Sequence, residues 1–166
     1  MAAGVTYDAI ATYTLSSNTS NINFASIPNT YTDLILVSSI KVTVAAQGAK
    51  FRFNGDTGSN YDGNVISGTG SVVGNDPLST TVYGHLAFYG PPDDTNFSTN
   101  ILQIMQYKNT NMFKTTFGRS NRGYVGVSAI STTWKNTAAI TSIDIFPDTN
   151  QWATGSTFIL YGITAA

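Results

Sequence analysis

Gly155-Ser156-Thr157-Phe158-Ile159-Leu160-Tyr161-Gly162-Ile163 is the stretch on which the reading of this chain turns. It is apolar at alternate positions and at those between, so neither face of a strand built from it is made for water. A strand greasy on both faces is either central in a packed sheet or covered by a partner chain. It closes a sequence that reads as strand and turn throughout.

Composition supports the same reading. Hydrophobic residues make up 42% of the 166 positions and charged residues only 10%, well under the roughly 25% of an average soluble domain. Thr, Ser and Asn together supply about a third, and Glu is absent, so every acidic residue is Asp. Thr suits strands, while Asn, Ser and Asp suit turns. Without Glu, and with few Lys or Arg, the usual surface helix formers are missing. The net charge of −1 gives no electrostatic reason to bind nucleic acid or an anionic membrane. No run approaches the roughly 18 apolar residues of a membrane helix. Absence of cysteine removes thiolate chemistry and Cys-based zinc sites. Met1-Ala2-Ala3-Gly4-Val5-Thr6 lacks the regions of a signal peptide, so synthesis in a cytoplasm is expected.

Working outward from the C-terminal stretch, Ala139 to Phe146 reads as a strand with Ile143 and Ile145 inward and Asp144 outward. Pro147 to Asn150 forms a turn. Asp33 to Ala46 is a long β-branched strand in which Leu34, Leu36, Ser38, Ile40, Val42 and Val44 share one face. Lys50 to Phe53 enters Asn54-Gly55, a strong turn signal because both residues tolerate positive φ. Positions 56 to 75, rich in Gly, Ser and Asn, read mainly as loop, tacked down by Tyr61, Val65 and Ile66, and Asp76-Pro77 marks a boundary. Further strands are expected over Tyr7 to Leu15, Thr80 to Tyr89, Thr99 to Lys108, Phe113 to Arg119 and Tyr124 to Ile130, with Trp134 in a connection. The result is an all-β chain of about eight strands. It reads as one domain over residues 1–166 with a short N-terminal arm, an antiparallel β-sandwich of jelly-roll type.

Candidate chemistry is sparse. His85 is the single histidine, and a Ser-His-Asp triad would need it between a nucleophile and a carboxylate. Asp56, Asp62 and the oxygens of Asn54, Ser59 and Asn60 crowd one stretch, as a calcium loop would. They lack EF-hand spacing and a closing Glu, and tight turns use the same residues. Asp93-Asp94 could serve a glycosidase only if two carboxylates flank a sugar bond; adjacent Asp residues beside prolines are ordinarily solvated. Gly118-Arg119-Ser120-Asn121-Arg122-Gly123 holds two of the three arginines. It reads as a hairpin loop with two exposed charges, or as a site pairing with a partner's Asp. Trp134, Trp152 and the tyrosines could stack on sugars, although aromatics also dominate ordinary cores. No catalytic, cofactor or metal residue is assigned, and enzymatic activity is not expected.

Several stretches in order resemble a small β-domain of tailed-bacteriophage virion proteins. They are Leu34-Ile35-Leu36-Val37; Phe51-Arg52-Phe53-Asn54-Gly55-Asp56 with Asn60-Tyr61; Ile140 to Ile145; and Gly155 to Ile163. The resemblance implies a sandwich or jelly roll on a virion surface and brings no catalytic residue. In a tail fibre such a module would follow a shaft, whereas here the first strand begins within about ten residues of Met1. The expectation is therefore a capsid decoration or cement protein. It would be a homotrimer contacting the major capsid protein or other virion proteins, without a cofactor. The alternative is the receptor-binding tip of a tail fibre or spike that recognises host surface polysaccharide. A glycan-cleaving enzyme is the third reading, disfavoured by the missing Glu and the lone His.

Overall fold

The structure, a computed structural model, describes residues 6–44, 48–88, 92–123 and 125–164. The N-terminal arm, the expected strand ends at Ala46 and Tyr89, and Tyr124 lie outside them. Twelve strands and no helix occur among the described residues. One sheet has eight strands, in the order β1 (Tyr7–Thr14), β12 (Thr157–Ile163), β3 (Asp33–Ile40), β8 (Ser98–Met105), β9 (Lys114–Arg122), β10 (Gly126–Trp134), β5 (Tyr61–Gly68) and β6 (Val73–Thr81). The other has four, in the order β2 (Ile22–Phe24), β11 (Ile143–Pro147), β4 (Ala49–Phe53) and β7 (Gly84–Ala87). All neighbours are antiparallel. The fold is an antiparallel β-sandwich with unequal sheets.

The C-terminal stretch sits between β1 and β3 of the large sheet. Its inward positions Phe158 and Leu160 are fully buried. Gly162, the third inward position, has no side chain because the ring of Tyr31 lies where a Cβ would go. The other parity, Ile159, Tyr161 and Ile163, is half-buried on the outer face. In β3 the expected face is the core face: Leu34, Leu36, Ser38 and Ile40 are buried, and Val42 follows just beyond the strand.

Between the sheets, Phe51 and Phe53 of β4 meet Tyr61 of β5 and Trp134 of β10. The Phe53 and Trp134 rings are 5.6 Å apart, edge to face. Trp152 packs edge-on against Phe158 at 5.6 Å. Such rings bury large areas and lock the sheets in one register.

One local expectation holds and three need correction. Asn54 and Gly55 adopt the expected positive φ, 53° and 67°, in a turn that passes the chain from the small sheet to the large one. The stretch read mainly as loop holds the β5–β6 hairpin, with Tyr61 and Val65 buried and Ile66 60% exposed. Asp76-Pro77 lies inside β6, an edge strand, where a missing N–H is tolerated. Ser120 to Arg122 are strand residues of β9, and the hairpin turn comes after them.

Candidate functional site: the outer face of the large sheet

Strand register assembles the site. Arg119 on β9 faces Ile101 of β8 on one side and Ala129 of β10 on the other. Ala129 is registered with Ile66 of β5, and Ile101 with Val37 of β3, which is registered with Ile159 of β12. One row therefore crosses six strands as Ile159, Val37, Ile101, Arg119, Ala129 and Ile66. Alternation puts this row outside, because the neighbours in sequence (Leu160, Leu36, Leu102, Gly118, Ile130 and Val65) point inward and are buried. Beside the row stand Phe117 and Val127, 52% and 54% exposed. Ile66, Ile101, Arg119, Asn121, Val127 and Ala129 line a shallow depression of about 570 Å³.

Arg119 is exposed and has no ion-pair or hydrogen-bond partner among the described residues. The other two arginines are engaged. Arg52 donates from Nε to the Val82 carbonyl at 2.9 Å and lies 4.6 Å over the Phe146 ring. Arg122 points inward, only 8% exposed, and its Nη1 is 2.6 Å from Asp93 Oδ2. Both arginines expected on a hairpin loop stand in β9; Arg119 is exposed as expected and Arg122 is not, because an odd separation along a strand sends it to the opposite face.

The remaining candidates are dispersed. Asp93 serves Arg122 and its own turn: its Oδ1 accepts from Thr95 N at 2.9 Å and from Asn96 N. Burial works against its charge, yet those backbone bonds and Arg122 hold the carboxyl below its usual value. It is not solvated in the way its sequence setting suggested, while Asp94 is exposed. Asp56 accepts from Trp134 Nε1 at 2.7 Å, Asn60 Nδ2 at 2.9 Å and Gly58 N at 2.8 Å. Burial opposes its charge as well, and these bonds outweigh it and lower its pKa. Asp62 turns to Lys135 Nζ at 2.9 Å and Thr80 N at 2.7 Å. These two carboxylates are thus engaged separately, and no cluster of three or more His or Asp that could hold a metal occurs among the described residues.

His85 is buried between the rings of Tyr83 and Phe88, at 5.2 and 4.9 Å. Its Nδ1 has no hydrogen-bond partner among the described residues, so no carboxylate there orients it as a triad imidazole is oriented. Burial, helped by the charge of Lys50, pushes its pKa down to about 4. Trp134 and Trp152 are 1% and 0% exposed and offer no face to a sugar. For the two tryptophans that expectation is overturned by the inter-sheet packing that consumes both rings; Tyr7 and Tyr13 are exposed.

What the sequence left unassigned is the row itself. Its members come from six strands spread from Val37 to Ile159, and only their cross-strand register unites them. The one signal present was parity: Phe117, Arg119 and Asn121 share a face, as do Val127 and Ala129.

No family model matches the chain, and no curated protein matches it. Among solved structures, a protein of unknown function from Shewanella oneidensis MR-1 is similar over 98% of this chain and 77% of its own, with 9% identity and a TM-score of 0.25. That likeness bears on neither fold nor function.

Proposed function

We propose that this protein is a structural component of a bacteriophage virion surface, a capsid decoration or cement protein that acts by protein–protein contact. The observation that carries this reading is the outer row, a line of aliphatic side chains broken by one unpartnered arginine. Interface cores are depleted in most charges but enriched in Arg and aromatics; Arg119 is the one charge lining the depression, and the exposed Phe117 stands beside the row. The resemblance of the core strands to virion β-domains supplies the setting. In this reading three copies close around an axis and use the outer face against capsid subunits, burying on the order of 1,600 Å² in all.

The test is add-back to particles. Particles stripped of the protein should take up hundreds of wild-type copies, visible by electron microscopy, and few of a Val127→Asp variant. A wild-type protein that binds no particle and stays monomeric at high concentration would overturn the reading. We place the receptor-binding tip second. With both tryptophans buried, it would have to rely on exposed rings such as Tyr7, Tyr13 and Phe97.

A further inference from the structure

Resting on the docking role proposed above, we infer that the depression around Arg119 receives an extended polypeptide segment that presents a carboxylate between aliphatic side chains. The chemistry of the lining selects this occupant. No Asp lines the depression, and Arg119 is its single charge. A guanidinium without a carboxylate partner presents a planar fork that a carboxylate meets with two parallel hydrogen bonds. The walls flanking it are aliphatic: Ile66, Ile101, Val127 and Ala129. Polypeptide side chains fill such walls and bury apolar area. An acidic sugar would set most of its hydroxyls against these aliphatic walls, where they lose water without gaining partners. Thr99 and Asn121 border the depression and leave polar groups for the backbone of the incoming segment.

A second copy of this chain laid face to face is a poorer occupant. A two-fold axis through the depression would bring two Arg119 guanidiniums together, and like charges in an apolar contact repel. The partner is therefore a different surface, with an acidic residue set among apolar ones.

The experiment uses the full chain, labelled with ¹⁵N, and a capped pentapeptide of sequence Thr-Val-Asp-Val-Thr as the probe. Its twin, Thr-Val-Asn-Val-Thr, differs only in the carboxylate. The expected result is a set of shifted amides confined to β5, β8, β9 and β10, with binding at least tenfold weaker for the twin. Arg119→Gln should lose the same tenfold for the acidic peptide while melting as wild type does, and Arg119→Lys should recover part of it. Equal binding of the two peptides, no binding of either, shifts elsewhere, or stronger binding of an oligogalacturonate would each overturn the inference. Particle uptake separates it from the virion role. Uptake lost in Val127→Asp but intact in Arg119→Gln leaves the docking role standing and sinks the carboxylate. Selective peptide binding by a protein that no particle accepts does the reverse.

Discussion

Arg119 and Arg122 lie three residues apart on β9 and meet opposite surroundings. Arg122 faces inward, paired with Asp93 and nearly free of solvent. Arg119 faces outward between Ile101 and Ala129, and no acid answers it. One residue type thus performs two tasks, because an odd step along a strand changes the face. Inside, a charge is held only by being paired. Outside, the same charge stays open to a partner. The contrast extends across the sheet: its inner face is completed by the small sheet, and its outer face is left for something else.

The largest expected effect comes from breaking the inner face in the closing strand. Cutting the chain before Gly155 removes Phe158 and Leu160, splits β1 from β3, and should abolish cooperative unfolding seen by circular dichroism. Point changes grade the same contrast. Leu160→Ala should cost about 3 kcal/mol, read from urea midpoints, while Ile159→Ala, its half-buried neighbour on the other face, should cost about 1 kcal/mol. Equal losses would mean that both faces of β12 are core.

Next is the buried arginine. Arg122→Ala leaves Asp93 as a charge with its main ionic partner gone, and should cost about 3 kcal/mol. Replacing both residues together should cost less than the two single losses combined. Acid unfolding tests the same pair from the other side. The folded pKa values of Asp93, Asp56 and Asp62 are lowered. Their contribution is therefore present above the unfolded value near 4 and is lost as pH falls through the lower folded values. In Asp93→Asn, part of that steep loss below about pH 4 should disappear.

His85 gives a smaller effect in a separate window. Its folded pKa of about 4 lies below its unfolded value near 6.5. Between these values the unfolded chain takes up a proton that the folded chain refuses. Stability is complete above about pH 6.5 and declines as pH drops toward 4, by roughly 2–3 kcal/mol at most. Melting temperatures of wild type and His85→Gln across pH 4–7 should show the slope in the first and its absence in the second.

These contrasts also show what was legible in the sequence. Alternation over Leu34 to Val42 pointed directly to the core face of β3, whereas Gly155 to Ile163, apolar at both parities, announced a packed strand without saying which face is core. The β5–β6 hairpin was obscured by Gly, Ser, Asn and Pro, which suit loops yet are tolerated here, where β6 is an exposed edge. Ser120 to Arg122 read as a turn because Ser120 and Arg122, polar residues on the inner face, do not resemble a core. Inside, each finds a polar partner: Ser120 and Ser128 hydroxyls are 2.6 Å apart, and Arg122 meets Asp93 through Nη1. The docking row was illegible for a different reason. Arg119 was singled out in its motif, but Ile66 and Val37 become its row-mates only through register, which no local window encodes.

The smallest expected effect on stability is the one that bears most on function. Arg119→Ala removes an exposed side chain with no partner, so unfolding free energy should stay within about 0.5 kcal/mol of wild type. Set against Arg122→Ala, this makes the two arginines a matched pair with opposite readouts. The inner one should change the urea midpoint. The outer one should leave the midpoint in place and change only association, measured by particle uptake or peptide titration. Val127→Asp sharpens the point from the apolar side. It places a carboxylate beside the row, diagonal to Arg119 across the β9–β10 pair, a spacing that long side chains reach, and so offers the guanidinium an internal partner. Uptake should then fall for two reasons, lost apolar contact and a pre-empted cation, and the double variant with Arg119→Ala should be no worse than Val127→Asp alone. Two independent losses that simply add would instead mean that Arg119 and the aliphatic wall serve different partners.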